Sequence, residues 1–544
     1  MLLLVVAFDE RVQMCRIMSC APHPTVIART RSLDLRSSRS IRAVISSLPV
    51  VRFSSKPVEP EGAGDLGSDQ EPVDLTILTE ANGGAGPADT ATPEDCEDQD
   101  SSPAPIWTSI DWKICGLLLV ASLLLVGLHV RSYESLSPID ELQHIDYVIR
   151  AGDFDIPVRN DRVGQEALAE AACRSVDAPG YVGPACGLAT YDPNDFQENG
   201  FNTAVSQFPP YYVTTGVGAR LLTAVGLFES KVTAARMLGA VWLAAALSVT
   251  WYLMACLGLR RRSRAPVIAL LLVTPLTIFH AGATVNADVS LMLTGALATL
   301  ATVKYEAGRL RWWWVPLVYV GVILVEATNI LAVAACGLYL MVRRIPDATA
   351  SLTQRLAPLT ILPALLLFRV EVAGRLHAKF FPTAQVFVST DSMSSAPMFV
   401  VHRTESVSFE KVIAQLSSTF TPVRNPYLSP PLRSQLTIAG LELTNWLLIA
   451  LLFSAAIVVV SSARLTWLSR ITLVMLLAAG PFYTFYFAYF SNQDFAAPAR
   501  FALPLVPLMA IAASSAIQRR STLLAVWGVA ALTGLNTVFQ LLTA

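Results

Sequence analysis

The stretch KICGLLLVASLLLVGLHVRSYESLSPIDELQHIDYVIRAGDFDIPV, residues 113–158, decides the fold. Its first part is apolar for long enough to cross a bilayer as a helix, which takes about 20 residues. Its second part opens an extramembrane loop with adjacent carboxylates, Asp140 and Glu141, then His144, Asp146 and a Gly152-Asp153-Phe154 turn. A helix starting near Pro138 would put Asp140 and His144 four apart, and Glu141 and His144 three apart, on one face. Acidic groups at the lip of a membrane suit general-base or metal-ligand work. The same residues also read as a capped helix start, where Asp and Glu are favoured by the helix dipole.

Outward from this stretch the chain stays apolar. Of 544 residues 53% are hydrophobic and only 15% charged, with mean hydropathy +0.51. That composition implies an all-α polytopic membrane protein and excludes a large soluble enzyme. Residues 1–112 differ: first Arg- and Ser-rich, then acidic with Pro, Gly and Ser, the composition of a solvated tail. A disordered cytoplasmic tail with no catalytic role is expected there. MLLLVVAF lacks the basic lead-in and cleavage site of a signal peptide, and Met18 is a candidate for a later translation start.

Apolar windows predict eleven spans, near 114–130, 233–257, 265–281, 288–303, 312–325, 329–342, 356–370, 442–462, 471–490, 501–517 and 522–542. Basic clusters then fall on alternate connections: Arg260 to Arg264, Lys304 to Arg311, Arg343-Arg344, Arg464 with Arg470, and Arg519-Arg520. By the positive-inside rule the N-terminus is cytoplasmic and the C-terminus extracytoplasmic. The opposite tips, around Asn286, Glu326 and Asn492, carry little positive charge beyond Arg500. Residues 211–228 would make a twelfth span, but counting it inverts every later loop, and Arg220 is costly at bilayer depth. A helix in or near the outer interface is expected instead. Two outer segments remain, 131–232 and roughly 371–441.

The first outer segment holds Cys173 and Cys186, the two of eight cysteines that this topology puts outside. An oxidising compartment permits a disulfide, and closing so short a loop stabilises by roughly 3 kcal/mol; two buried free thiols are the alternative. The other cysteines show no metal-ligand spacing.

The order of these features resembles the GT-C superfamily of membrane glycosyltransferases, over roughly residues 114–520. A first span is followed by the Asp140-Glu141 pair. Then come a GD-aromatic-x-x-P element (Gly152, Asp153, Phe154, Pro157) and a PPYY element (Pro209 to Tyr212) leading into an interfacial helix. Arg236 opens the second span. Bacterial protein O-mannosyltransferase-like and aminoarabinose-transferase-like proteins are similar, and so is the family DUF2142, through Asn286-Ala287-Asp288 and the ARFALPLVP run at 499–507. The resemblance implies a GT-C-like bundle of about 11 transmembrane helices, a catalytic module over 113–520 and a final helix over 521–544. It implies transfer of a sugar from a polyprenyl-phosphate donor to an envelope glycan, lipid or protein at the outer face of a bacterial plasma membrane.

Carried over residue by residue, it makes Asp140 the base, Glu141 its orienting or metal-binding neighbour and Asp288 a second acid. Arg500 becomes a contact for the carrier phosphate, and His144, Asp153, Tyr211 and Arg236 become substrate-binding residues. Asp140, Glu141 and His144 would be the ligands if a divalent metal takes part. One departure matters: relatives often place Lys where this chain has Glu326, and a carboxylate cannot neutralise phosphate. Glycosyl transfer needs a base at the acceptor hydroxyl and positive charge at the departing phosphate. Carboxylates also favour a transition state of oxocarbenium character. With no P-loop or Rossmann fingerprint, nucleotide and nucleic acid are not expected as partners; membrane lipids are.

Plainer readings accompany each residue: an interfacial anchor for Arg500, an N-cap carboxylate for Asp288, a satisfied helix-face histidine for His144. A polytopic lipid or glycan transporter would place its charges at the bilayer midplane. A non-catalytic envelope-assembly scaffold would share the fold without the activity. Convergence of Asp140 and Asp288 on one cavity separates the enzyme from both.

Overall fold

A computed structural model describes residues 107–544, apart from 159–160, 179–180, 275–281, 345–355, 369–401, 404–408, 418, 423–427, 459–461, 492 and 495–496. Residues 1–106 of the tail expected over 1–112, and most of the second outer segment, therefore lie outside the described residues; the last four residues of that tail, 109–112, are already helical. What is described is α-helical, save two antiparallel strands of two residues each, His402–Arg403 and Gln493–Asp494.

In chain order the helices are α1 (Ser109–Ser132), α2 (Glu141–Gly152), α3 (Gln165–Arg174), α4 (Pro210–Ala224), α5 (Lys231–Cys256), α6 (Arg261–Val273), α7 (Val289–Glu306), α8 (Trp314–Val325) and α9 (Ile330–Arg344). They continue as α10 (Ala357–Phe368), α11 (Phe409–Ala414), α12 (Gln435–Ile457), α13 (Ala463–Ser491), α14 (Val506–Ala516) and α15 (Arg520–Thr543). Six stretches are long and apolar enough to cross a membrane: α1, α5, α12, α13, α14 with the 3₁₀ turn Ala499–Leu505 before it, and α15. The chain is thus a multi-pass membrane protein. The other five expected spans fall on α6 to α10, which are helical within the described residues but shorter or more polar.

Helix α7 is the axis of the bundle. Every residue from Val289 to Val303 is buried, against α5 on one side and α8, α9 and Ala499–Leu505 on others. A helix apolar on every face belongs in such a place. Gly295 on α7 admits the Ala499–Leu505 turn, because a Cβ there would run into the carbonyl of Pro504.

Charged groups sort to the two ends. At one end Arg261 pairs with Asp111 at 2.7 Å, Lys304 lies over Tyr252, and Arg343 and Arg464 pair with Glu306 at 3.3 and 2.8 Å. Arg236, Asp288, Glu326 and Arg500 lie at the other ends of the same helices or in their connections. Arg261, Lys304, Arg343 and Arg464, from four of the expected basic clusters, thus all make their contacts at one end.

One local expectation needs correction. Helix α2 starts at Glu141, not near Pro138, and Asp140 precedes it in the left-handed region, φ 55°. The two neighbouring carboxylates consequently leave the chain in different directions. Helix α4 packs along the first three turns of α5: Gly218 sits against Leu238, and Trp242 Nε1 donates to Thr215 Oγ1 at 3.1 Å. Gly216 permits close contact on its other side, where a Cβ would meet the Val148 carbonyl of α2. Cys173 and Cys186 are joined in a disulfide.

Candidate functional site

Asp140, His144, Asp288, Glu326 and Arg500 line one cavity of about 200 Å³. Five chain segments supply them: the turn before α2, α2 itself, the entry to α7, the α8–α9 connection and the turn before α14. Gln207, Asn286 and Thr328 add neutral polar groups to the lining, and Phe208 from the approach to α4 adds an aromatic ring. Phe368, Tyr483, Tyr486, Phe487 and Phe501 form an aromatic wall opposite. A separate recess near Thr299, Cys336 and Tyr339 has no room for water.

Arg500 ties the acids together. Its Nε lies 3.1 Å from Asp288 Oδ2, and its Nη2 lies 3.9 Å from Asp140 Oδ2. The guanidinium is therefore shared between two carboxylates, nearer to Asp288. Asp288 is also fixed from its own backbone, which donates to Asn286 Oδ1 at 2.9 Å. Half of the Asp140 side-chain surface is accessible, and the residue lines the cavity. Burial raises its pKa above the ordinary carboxylate range, and the charge of Arg500 pulls it back. A carboxylate held in this way is a stronger base than one in water.

His144 makes a different set of contacts. Its Nδ1 lies 2.7 Å from the Tyr212 hydroxyl, and that hydroxyl donates to Gln207 Oε1. The Tyr147 and Tyr212 rings stack 3.8 Å apart and 4° from parallel. Burial, and then the charge of Arg500, bring the His144 pKa down to about 3, so the imidazole is neutral at physiological pH.

No protein family model, curated protein or solved structure matches this chain.

The remaining expected residues sit apart from the cavity. Glu141 is wholly buried in an ion pair with Arg236, Oε1 to Nε and Oε2 to Nη2, each 2.9 Å. Its oxygens also accept from the backbone N–H of Ser137 at 2.6 Å and of Val285 at 3.0 Å. Arg236 donates in addition to the carbonyls of Tyr133 and Ser135, at 2.9 and 2.8 Å. Together they strap the end of α1, the start of α2, α5 and the approach to α7. Asp153 pairs with Arg220 across α2 and α4, half exposed to solvent. Tyr211 is buried, with its ring against Trp242. Asp140, Glu141 and His144 do not gather as ligands: among the described residues no three His, Cys, Asp or Glu side chains are placed to hold a metal ion.

Three residues enter the account from the structure alone. Tyr212, not its neighbour Tyr211, meets His144, and Gln207 fixes that tyrosine. Glu198 stands near Asp140: burial and the Asp140 charge raise its pKa to about 7. Both carboxylates sit on left-handed backbone, φ 54° at Glu198 against 55° at Asp140. Their turns lean together through Gln197 Nε2, which donates to the Pro138 carbonyl at 3.4 Å. Non-glycine residues in that region carry strain of order 1–3 kcal/mol, and such strain clusters at functional sites. Asp146, by contrast, is structural, accepting from Gly164 N at 2.8 Å and Asn202 Nδ2 at 2.7 Å.

Proposed function

We propose that this protein is a membrane glycosyltransferase of the GT-C type. It takes a sugar from a polyprenyl-phosphate carrier and passes it to an envelope glycan, lipid or protein at the outer face of a bacterial plasma membrane. The observation that carries the reading is the convergence of Asp140, Asp288 and Arg500 on one cavity, at the end of α7 opposite the basic connections. Under the positive-inside rule the cavity end faces outward. The six apolar stretches then belong to a bundle of eleven spans, with α6 to α10 supplying the rest.

In the reaction the acceptor hydroxyl oxygen bonds to the anomeric carbon, and its proton passes to Asp140. The bond from the anomeric carbon to phosphate oxygen breaks, and its electron pair leaves with the carrier phosphate. Arg500 meets that growing charge, and Asp288 holds the guanidinium in place beforehand, as preorganised electrostatic stabilisation requires. Asp288 and Glu326 favour positive charge developing on the sugar ring. The aromatic wall offers faces for the sugar or the first isoprene units. The transporter reading needs charges at mid-bilayer, whereas these groups lie at helix ends.

The test is a mass-spectrometric comparison of envelope glycans, lipids and glycoproteins from cells with and without the protein. Loss of one sugar, with its lipid-linked donor accumulating, is expected. Identical glycans together with an unchanged donor pool would refute the proposal.

A further inference from the structure

We propose that Tyr212 and Gln207 fix the tautomer of His144 so that its Nε2 offers a lone pair to a hydroxyl of the bound sugar. This rests on the glycosyltransferase reading for the identity of the ligand, though not for the tautomer. The phenol of Tyr212 has one proton, and Gln207 Oε1 only accepts, so that proton goes to Gln207. The phenolic oxygen is then an acceptor toward His144, and the ring nitrogen 2.7 Å away must carry hydrogen. In a neutral imidazole with hydrogen on Nδ1, Nε2 is bare.

The surroundings keep the ring neutral and still. The charged groups sharing its cavity are Arg500, Asp140, Asp288 and Glu326; Asp146 on its own helix is engaged with Gly164 and Asn202. Burial and the nearby guanidinium both disfavour an imidazolium. The Tyr212 ring lies 5.8 Å from the imidazole and 11° from parallel, backed by Tyr147, so the imidazole plane is set. Among the described residues no hydrogen bond reaches Nε2. One cavity wall thus carries a bare acceptor close to Arg500, a pure donor. A hydroxyl both donates and accepts, which is the pairing this wall provides.

Two measurements on the full-length protein in detergent or liposomes test the inference. The first is ¹⁵N NMR with labelled histidine, the His144 signals being assigned among six histidines by their loss in His144→Gln. A single neutral form with hydrogen on Nδ1, persisting from pH 8 to pH 5, is expected; Tyr212→Phe should release a mixture of tautomers. Hydrogen on Nε2, or protonation near pH 6.5, overturns the tautomer. The second measurement is transfer kinetics. Tyr212→Phe and His144→Asn should each raise KM for the donor about tenfold, the factor for losing one or two hydrogen bonds, with the folded yield unchanged. A KM within twofold of wild type in both variants overturns the hydroxyl contact. Complete absence of transfer by the wild type would refute the glycosyltransferase reading and with it the sugar contact, while the NMR result still decides the tautomer.

Discussion

Replacing Glu141 by Gln should destabilise the protein far more than replacing its neighbour Asp140 by Asn. Glu141 takes four hydrogen bonds with its two oxygens, two from Arg236 and two from backbone amides. Glutamine keeps the size but turns one oxygen into an NH₂ group, so a donor would face donors. Arg236 would keep its carbonyl partners yet lose the opposite charge that, among the described residues, is paired with it. Breaking a buried ion pair from one side costs about 3–5 kcal/mol, and the retained carbonyl bonds put this case near the lower figure. Asp140→Asn removes charge from an accessible side chain at a left-handed position, a conformation that asparagine also tolerates. Its effect on stability should stay within about 0.5 kcal/mol. The assay is unfolding of both purified variants by SDS titration in mixed micelles, followed by tryptophan fluorescence. A loss below about 1 kcal/mol in Glu141→Gln would refute the reading of this pair as the strap of the site.

Non-reducing peptide mapping should recover Cys173 and Cys186 in one crosslinked fragment, and Cys173→Ala with Cys186→Ala should cost roughly 3 kcal/mol; free alkylation of both thiols without reductant would contradict the disulfide. Glu198 has a folded-state pKa raised from 4.5 to about 7, so the folded chain binds its proton more tightly than the unfolded chain. Its contribution to stability should be full below pH 4.5 and lost as pH rises through about 7. Thermal unfolding of Glu198→Gln across pH 4 to 8 should be flatter than wild type, and unchanged slopes would contradict that assignment. Cysteines introduced at Asp195 and Arg519, both exposed, should differ in labelling from outside intact cells, the first modified and the second spared. The reverse pattern would overturn the orientation.

Much of the bundle is legible in the sequence because bilayer thickness fixes a length scale that an apolar window can be counted against. The long apolar windows lie within a few residues of α1, α5, the Ala499–Ala516 stretch and α15, whereas α12 and α13 each start several residues before their windows. The sorting of charge is legible for a similar reason, since basic residues mark one side of the membrane. The split between Asp140 and Glu141 is not. Adjacent residues carry no hint that one precedes a helix with left-handed backbone while the other starts it, so a shared role is the natural reading of the pair. Arg236 is conspicuous as a charge near the start of a span, but its partner lies 95 residues away, and pattern reading has no means of joining them. In the PPYY element the reading chose Tyr211, yet one step of helical rotation brings Tyr212 to His144. Glu198 left no signal, because its nearness to Asp140 depends on a short turn of irregular backbone.

The most direct test of the central claim is transfer by Asp140→Asn in liposomes supplied with the polyprenyl-phosphate sugar and acceptor. General-base catalysis contributes about 10²–10⁴-fold, so turnover should fall by at least a hundredfold while donor binding, assigned to Arg500, stays near wild type. Wild-type turnover in folded, inserted Asp140→Asn would contradict the account and leave Asp140 as no more than the residue that precedes α2.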